Sequence, residues 1–122
     1  MENVPFKGII AYPITPFDPQ EKVDLPLFKQ QVERLVSSGV HGIAPLGSTG
    51  VLPYLTDEEK EAVTEASIQQ TAGRVPTLVG VSNLTTDKTV YHAQFAEKAG
   101  ANAVMIIPMS YWKLTDDEII SH

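Results

Sequence analysis

Four small residues, Gly47-Ser48-Thr49-Gly50, follow directly on the apolar run Ile43-Ala44-Pro45-Leu46. Glycines leave backbone N–H groups open to close approach and the two hydroxyls add donors, so this stretch suits a carboxylate or phosphate oxygen. The same composition describes an ordinary polar turn leaving a strand. It has neither the lysine of a phosphate-binding P-loop nor the glycine spacing of a dinucleotide fingerprint. Tyr111-Trp112-Lys113 gathers a phenol, an indole and an ammonium. A phenol there can pass a proton or close a pocket, and rim packing or a subunit contact accounts for the same residues. His41, His92 and His122 have neither metal-ligand spacing nor a partnered nucleophile, so they read as structural or solvated and no metal is expected. Asp57-Glu58-Glu59 and Asp116-Asp117-Glu118 stand where helices begin, where the helix dipole favours them, and receive no catalytic role.

These groups need a scaffold, and the hydropathy pattern supplies one. Residues 8–15 are nearly continuously apolar and short, as in a strand covered on both faces, with Pro13 and Pro16 ending it. Asp24 caps a helix in which Leu25, Phe28, Val32, Leu35 and Val36 follow helical spacing and Gly39 is the stop. A second strand runs from Gly42 to Leu46, and Thr56 with Glu59 forms a capping box that opens a helix reaching Gly73. Residues 75–81 read as a third strand, Thr86 to Gly100 as a third helix and residues 103–107 as a fourth strand. Thr115 with Glu118 opens a fourth helix.

The strand starts Gly8, Gly42, Thr77 and Ala103 recur at intervals of about 25–35 residues, the length of a strand-helix unit. A faint repeat agrees with this division: Gly39 precedes Gly42 as Gly100 precedes Ala103. The fold class is therefore α/β, with parallel strands joined by right-handed crossovers, either as an open sheet or as part of an eight-stranded barrel. The sequence stops inside its last unit and reads as one domain or a piece of one. In both architectures ligands bind beyond the C-terminal strand ends, which selects Thr15-Pro16, Gly47 to Gly50, Ser82-Asn83 and Pro108 to Trp112.

At 122 residues, 43% hydrophobic and 20% charged, the chain has the composition of a globular domain with a real core. Its net charge of −6 and scattered basic residues argue against nucleic acid or a membrane surface as partner. Cysteine is absent, which excludes disulfides, thiolate metal sites and a cysteine nucleophile. Met1-Glu2-Asn3-Val4-Pro5 is neither basic nor apolar, and no apolar run nears the ~18 residues of a membrane span. A soluble, untargeted, cytoplasmic protein is expected.

Taken together, "GIIAYPITPFD", "DLPLFKQQVERLVSSGVHGIAPLGSTG", "GRVPTLVGVS" and "AGANAVMIIP" resemble the dihydrodipicolinate synthase and N-acetylneuraminate lyase family of pyruvate-dependent class I aldolases. That resemblance implies a (β/α)8 TIM barrel, of which residues 1–122 would be the N-terminal half of a single domain and about the first four βα units. It implies a lysine amine that attacks the ketone of pyruvate, the Schiff base then serving as electron sink for making or breaking a carbon-carbon bond, with no cofactor. Gly47, Ser48, Thr49 and Gly50 would bind the carboxylate of pyruvate or another 2-keto acid, and Thr49 would join the hydroxyl relay that moves protons. Tyr111 is the provisional counterpart of an aromatic that enters a neighbouring subunit's site in a homo-oligomer, a tetramer or dimer.

The family's nucleophilic lysine lies on the sixth strand and its main proton-handling tyrosine on the fifth, both beyond His122. None of Lys7, Lys22, Lys29, Lys60, Lys88, Lys98 or Lys113 ends a buried strand, so the 122 residues alone are expected to be inactive and a complete parent active. Two positions depart from the family: Val51 replaces a frequent Glu, and Met109-Ser110 separate Pro108 from the aromatic pair. The second substrate stays open among aspartate semialdehyde, sialic acid and sugar acids, with a slight preference for a 4-hydroxy-tetrahydrodipicolinate synthase type. Readings from other classes are a noncatalytic half-barrel that self-associates or binds a small anion, and another anion-binding α/β enzyme such as a phosphate-site barrel.

Overall fold

A computed structural model describes residues 6–122, so the Met1–Pro5 stretch lies outside the described residues. Strands and helices alternate: β1 (Ile10–Ala11), α1 (Leu25–Ser37), β2 (Gly42–Ile43), α2 (Asp57–Thr71), β3 (Leu78–Gly80), α3 (Thr86–Ala99), β4 (Ala103–Met105) and α4 (Asp116–Ser121). β1 pairs with β2 and β3 with β4, both in parallel. A parallel bridge from Ile43 to Thr77 joins the pairs, so the spatial order follows the chain. The hydrogen bonds from Ile43 N to Pro76 O and from Gly80 N to Pro45 O, each 3.0 Å, bind β2 to β3.

Each helix starts where its capping residues put it. Asp24 Oδ1 accepts from Leu27 N at 2.9 Å, and Thr56 with Glu59 and Thr115 with Glu118 both form reciprocal capping boxes. α1 packs on α2 and α2 on α3, as crossovers of one hand require when they cover one side of a sheet. Phe28 and Val32 of α1, Val63 and Ala66 of α2, Val79 and Val81 around β3, and Ala96 of α3 fill the layer between. No described helix is long and apolar enough to cross a membrane.

The strands are shorter than their apolar runs. β2 was expected to reach Leu46, but its pairing with β1 ends with the bond from Ala44 N to Ala11 O, because Pro45 has no N–H and Leu46 turns to φ 60°. β1 does not have both faces covered: Ile9 is 65% exposed, and Tyr12 and Ile14 are exposed as well. Among the described residues the helices pack against one another on one side, and the other face of β1 stays exposed. Ile106 and Ile107, expected as strand residues, extend past β4 and are likewise exposed.

Candidate functional site

Beyond β2 the chain folds into two tight successive turns, with Gly50 N bonded to Gly47 O at 3.0 Å and Val51 N to Ser48 O at 3.1 Å. The left-handed residues here are not the loop's glycines but Leu46 (φ 60°) and Val51 (φ 51°), which flank it. The glycines answer a different need, that of space. A Cβ on Gly47 would meet Tyr12 Cδ1 at 3.0 Å, and one on Gly50 would meet Leu46 N at the same distance. Gly80 on β3 is more demanding still, since a Cβ there would stand 1.9 Å from the carbonyl oxygen of Leu46.

Three anchors hold the loop. Pro45 and Leu46 are buried at its entry, and the buried Thr15 hydroxyl donates to Gly50 O at 2.7 Å, tying the loop after β1 to the loop after β2. At its exit a 3-10 turn, Leu52–Tyr54, inserts the buried Leu52 into the core. Nothing in the hydropathy pattern signals that turn. Between its anchors the loop keeps its donors free: Ser48 and Thr49 are exposed, and their N–H groups have no acceptor among the described residues. Ser48 and Gly47 border a cavity of about 160 Å3 whose other walls are Leu46, Leu52, Pro53, Ser82, Met105, Ile107 and Met109. Thr49 and Tyr111 do not line it. Tyr111 is 89% exposed and stacks edge-on against Trp112 with ring centroids 4.9 Å apart.

The neighbouring polar cluster is organised in the opposite way. Asp57, at the start of α2, accepts from Lys88 and from the buried His92, whose Nε2 lies 3.0 Å from Asp57 Oδ1. These two hydrogen bonds, the Lys88 one first, hold the Asp57 carboxyl down at about 2. A carboxylate only accepts, so Nε2 of His92 donates in this bond. Lys60, one turn into α2, is buried; its Nζ donates to Asn83 Oδ1 at 2.9 Å, and Asn83 Nδ2 donates to Val81 O at 3.0 Å. Burial lowers the pKa of Lys60. It sits on a helix rather than at a strand end. Sequence reasoning places His92 in a structural role, and its bond to Asp57 gives that role content. The burial of Lys60 has no sequence signal, because it depends on the fold bringing Asn83, beyond the end of β3, to α2. No group of His, Asp and Glu suited to a metal ion occurs among the described residues.

Comparison with known proteins gives a consistent neighbourhood. Residues 5–122 match the profile of the "Dihydrodipicolinate synthetase family". The 4-hydroxy-tetrahydrodipicolinate synthase of Bartonella quintana is 37% identical over 116 residues, which is 95% of this chain and 40% of that protein. The crystal structure of a candidate dihydrodipicolinate synthetase from Pseudomonas aeruginosa superposes with a TM-score of 0.93 at 52% identity, covering 96% of this chain and 40% of the other. A prophage protein of the dihydrodipicolinic acid synthase family from E. coli K12, crystallised with pyruvate, gives a TM-score of 0.90 at 32% identity, covering 95% of this chain and 39% of that one. The chain thus spans about 40% of the length of these relatives.

Proposed function

The chain belongs to the dihydrodipicolinate synthetase family, and we propose that, within a complete (β/α)8 barrel, it supplies the carboxylate-binding part of a pyruvate-dependent aldolase site. The observation that carries this reading is the loop itself: Gly47 to Gly50 stand at the end of a parallel strand, anchored at Thr15 and Leu52, with the Ser48 and Thr49 N–H groups free and Gly47 and Ser48 bordering a small cavity. Two adjacent N–H donors and two hydroxyls match the two oxygens of a carboxylate.

The bound carboxylate would fix pyruvate with its ketone toward a lysine amine supplied by the rest of the barrel. Attack by that amine with loss of water gives the Schiff base, whose positive nitrogen accepts electron density as the carbon-carbon bond forms or breaks. The Thr49 hydroxyl, next to the donor pair and exposed, is available to pass a proton. Lys60 is not the nucleophile, since its ammonium is bonded to Asn83 outside this cavity. For the second substrate we favour the 4-hydroxy-tetrahydrodipicolinate synthase type over sialic or 2-keto-3-deoxy sugar acid cleavage, because the B. quintana relative carries that name. The family reading also carries a cytoplasmic setting and a homo-oligomer, with the exposed Tyr111–Trp112 pair offered to a neighbouring subunit.

Borohydride trapping with pyruvate on the full-length polypeptide tests this. One pyruvyl adduct is expected on a lysine outside residues 6–122, and no adduct is expected on the 122-residue chain by itself. Absence of an adduct from the full-length protein overturns the aldolase reading. A second reading, association of half-barrels, is favoured by one observation, the exposed Ile9, Ile14, Ile106 and Ile107 beside the outer strands. Size-exclusion chromatography of the 122-residue chain separates it: a monomer removes that reading.

A further inference from the structure

Ser82 carries a group that the fold does not use up. It follows β3 by two residues and is 3% exposed. Its Oγ accepts from Ile107 N at 2.7 Å, a bond that joins the ends of β3 and β4 and fixes the oxygen in place. A serine hydroxyl that accepts still has its own hydrogen to give. That hydrogen has no acceptor among the described residues. Ser82 lines the same cavity as Gly47 and Ser48, and its neighbours in the wall, Leu46, Leu52, Met105, Ile107 and Met109, bring only apolar side chains. A donor buried in such a wall is costly unless something in the cavity accepts from it.

We propose that Ser82 is a substrate-binding residue, its hydroxyl donating to a carboxylate oxygen of the 2-keto acid held at the Gly47 to Gly50 loop. This rests on the aldolase reading above. The chemistry fits in number as well as place. A carboxylate has about four lone-pair directions, and the Ser48 and Thr49 N–H groups take two of them. Ser82 adds a donor from the adjacent strand end, which defines the carboxylate's orientation and not only its position. The apolar wall around it accepts the short carbon chain of a small 2-keto acid and disfavours a second charged or heavily hydroxylated group there.

The test uses the full-length protein, steady-state kinetics and borohydride trapping. Ser82→Ala is expected to raise the KM for pyruvate about tenfold, the size of a lost hydrogen bond to a charged group, with kcat within about twofold of wild type. The KM of the second substrate stays unchanged. Ser82→Thr, which keeps the hydroxyl, should restore the pyruvate KM to within about threefold. This pattern separates binding from the loss of the Ile107 contact, which would lower the thermal midpoint and disturb both substrates alike. Should Ser82→Ala fail to fold, Ser82→Cys keeps the side chain's shape with a weaker donor and should raise the pyruvate KM about threefold. An unaltered pyruvate KM in a folded Ser82→Ala or Ser82→Cys variant overturns the assignment, as does equal damage to both substrates. If the wild-type protein is not trapped by pyruvate, the aldolase reading has failed; if it is trapped and KM is indifferent to Ser82, only this inference has.

Discussion

The loop after β2 and the cluster between α2 and α3 lie side by side where strands end and helices begin, and they treat polar atoms in contrary ways. In the cluster, Asp57 satisfies both Lys88 and His92, Lys60 is bonded to Asn83, and Asn83 turns back to Val81 O. In the loop, Ser48 and Thr49 keep their N–H groups free, and the adjoining Ser82 keeps its hydroxyl hydrogen. Charge is therefore a poor guide to function here. The cluster holds the strongly charged residues and directs them at one another, so it fastens helices; the loop holds none and directs its donors outward, so it can receive an anion.

This contrast is broken or sharpened by a graded set of substitutions in the full-length protein. The largest effect is expected from Thr49→Val, which should lower turnover about 100-fold without moving the unfolding midpoint; a midpoint that falls in step with activity would place the loop with the structural cluster. Next is Thr15→Val, which strips Gly50 O of its buried partner. It should lower stability by about 1–3 kcal/mol and weaken pyruvate binding as the loop loosens, measured by denaturant unfolding and by titration. Asp57→Ala should do the reverse of Thr49→Val: a midpoint lower by about 4 °C as the buried His92 loses its acceptor, with kcat nearly unchanged.

The smallest effect is in acid. Asp57 is held at about 2 against an ordinary 3.8, so its contribution to stability is complete above pH ~3.8 and is lost as pH falls through 2. Unfolding measured between pH 5 and 2 should steepen less in Asp57→Asn than in wild type. Equal slopes would mean that the cluster does not fasten the helices through this carboxylate.

Helix starts were legible because their causes are local. Thr56 and Glu59, or Thr115 and Glu118, sit within one turn of each other and cap the same helix end wherever the chain goes. The four βα units and the place of the candidate loop followed from the same short-range patterns. What stayed illegible depends on residues brought together from afar. The need for glycine at position 80 arises from the carbonyl of Leu46, the placement of Ser82 from Ile107, and the tether on Gly50 from Thr15. The early end of β2 is a mixed case, since Pro45 is visible in the sequence but the left-handed turn of Leu46 is not.

Val51 holds φ 51°, a backbone region in which a β-branched side chain is crowded by its own neighbours. The loop's exit thereby sets two local terms against each other, since the same half-buried side chain packs on the core. Glycine or asparagine at this position relaxes the backbone and gives up that packing. Denaturant unfolding of Val51→Gly and Val51→Asn ranks the two: a raised midpoint means that strain outweighs packing, and a lowered one that the core contact holds the loop's exit in its strained form.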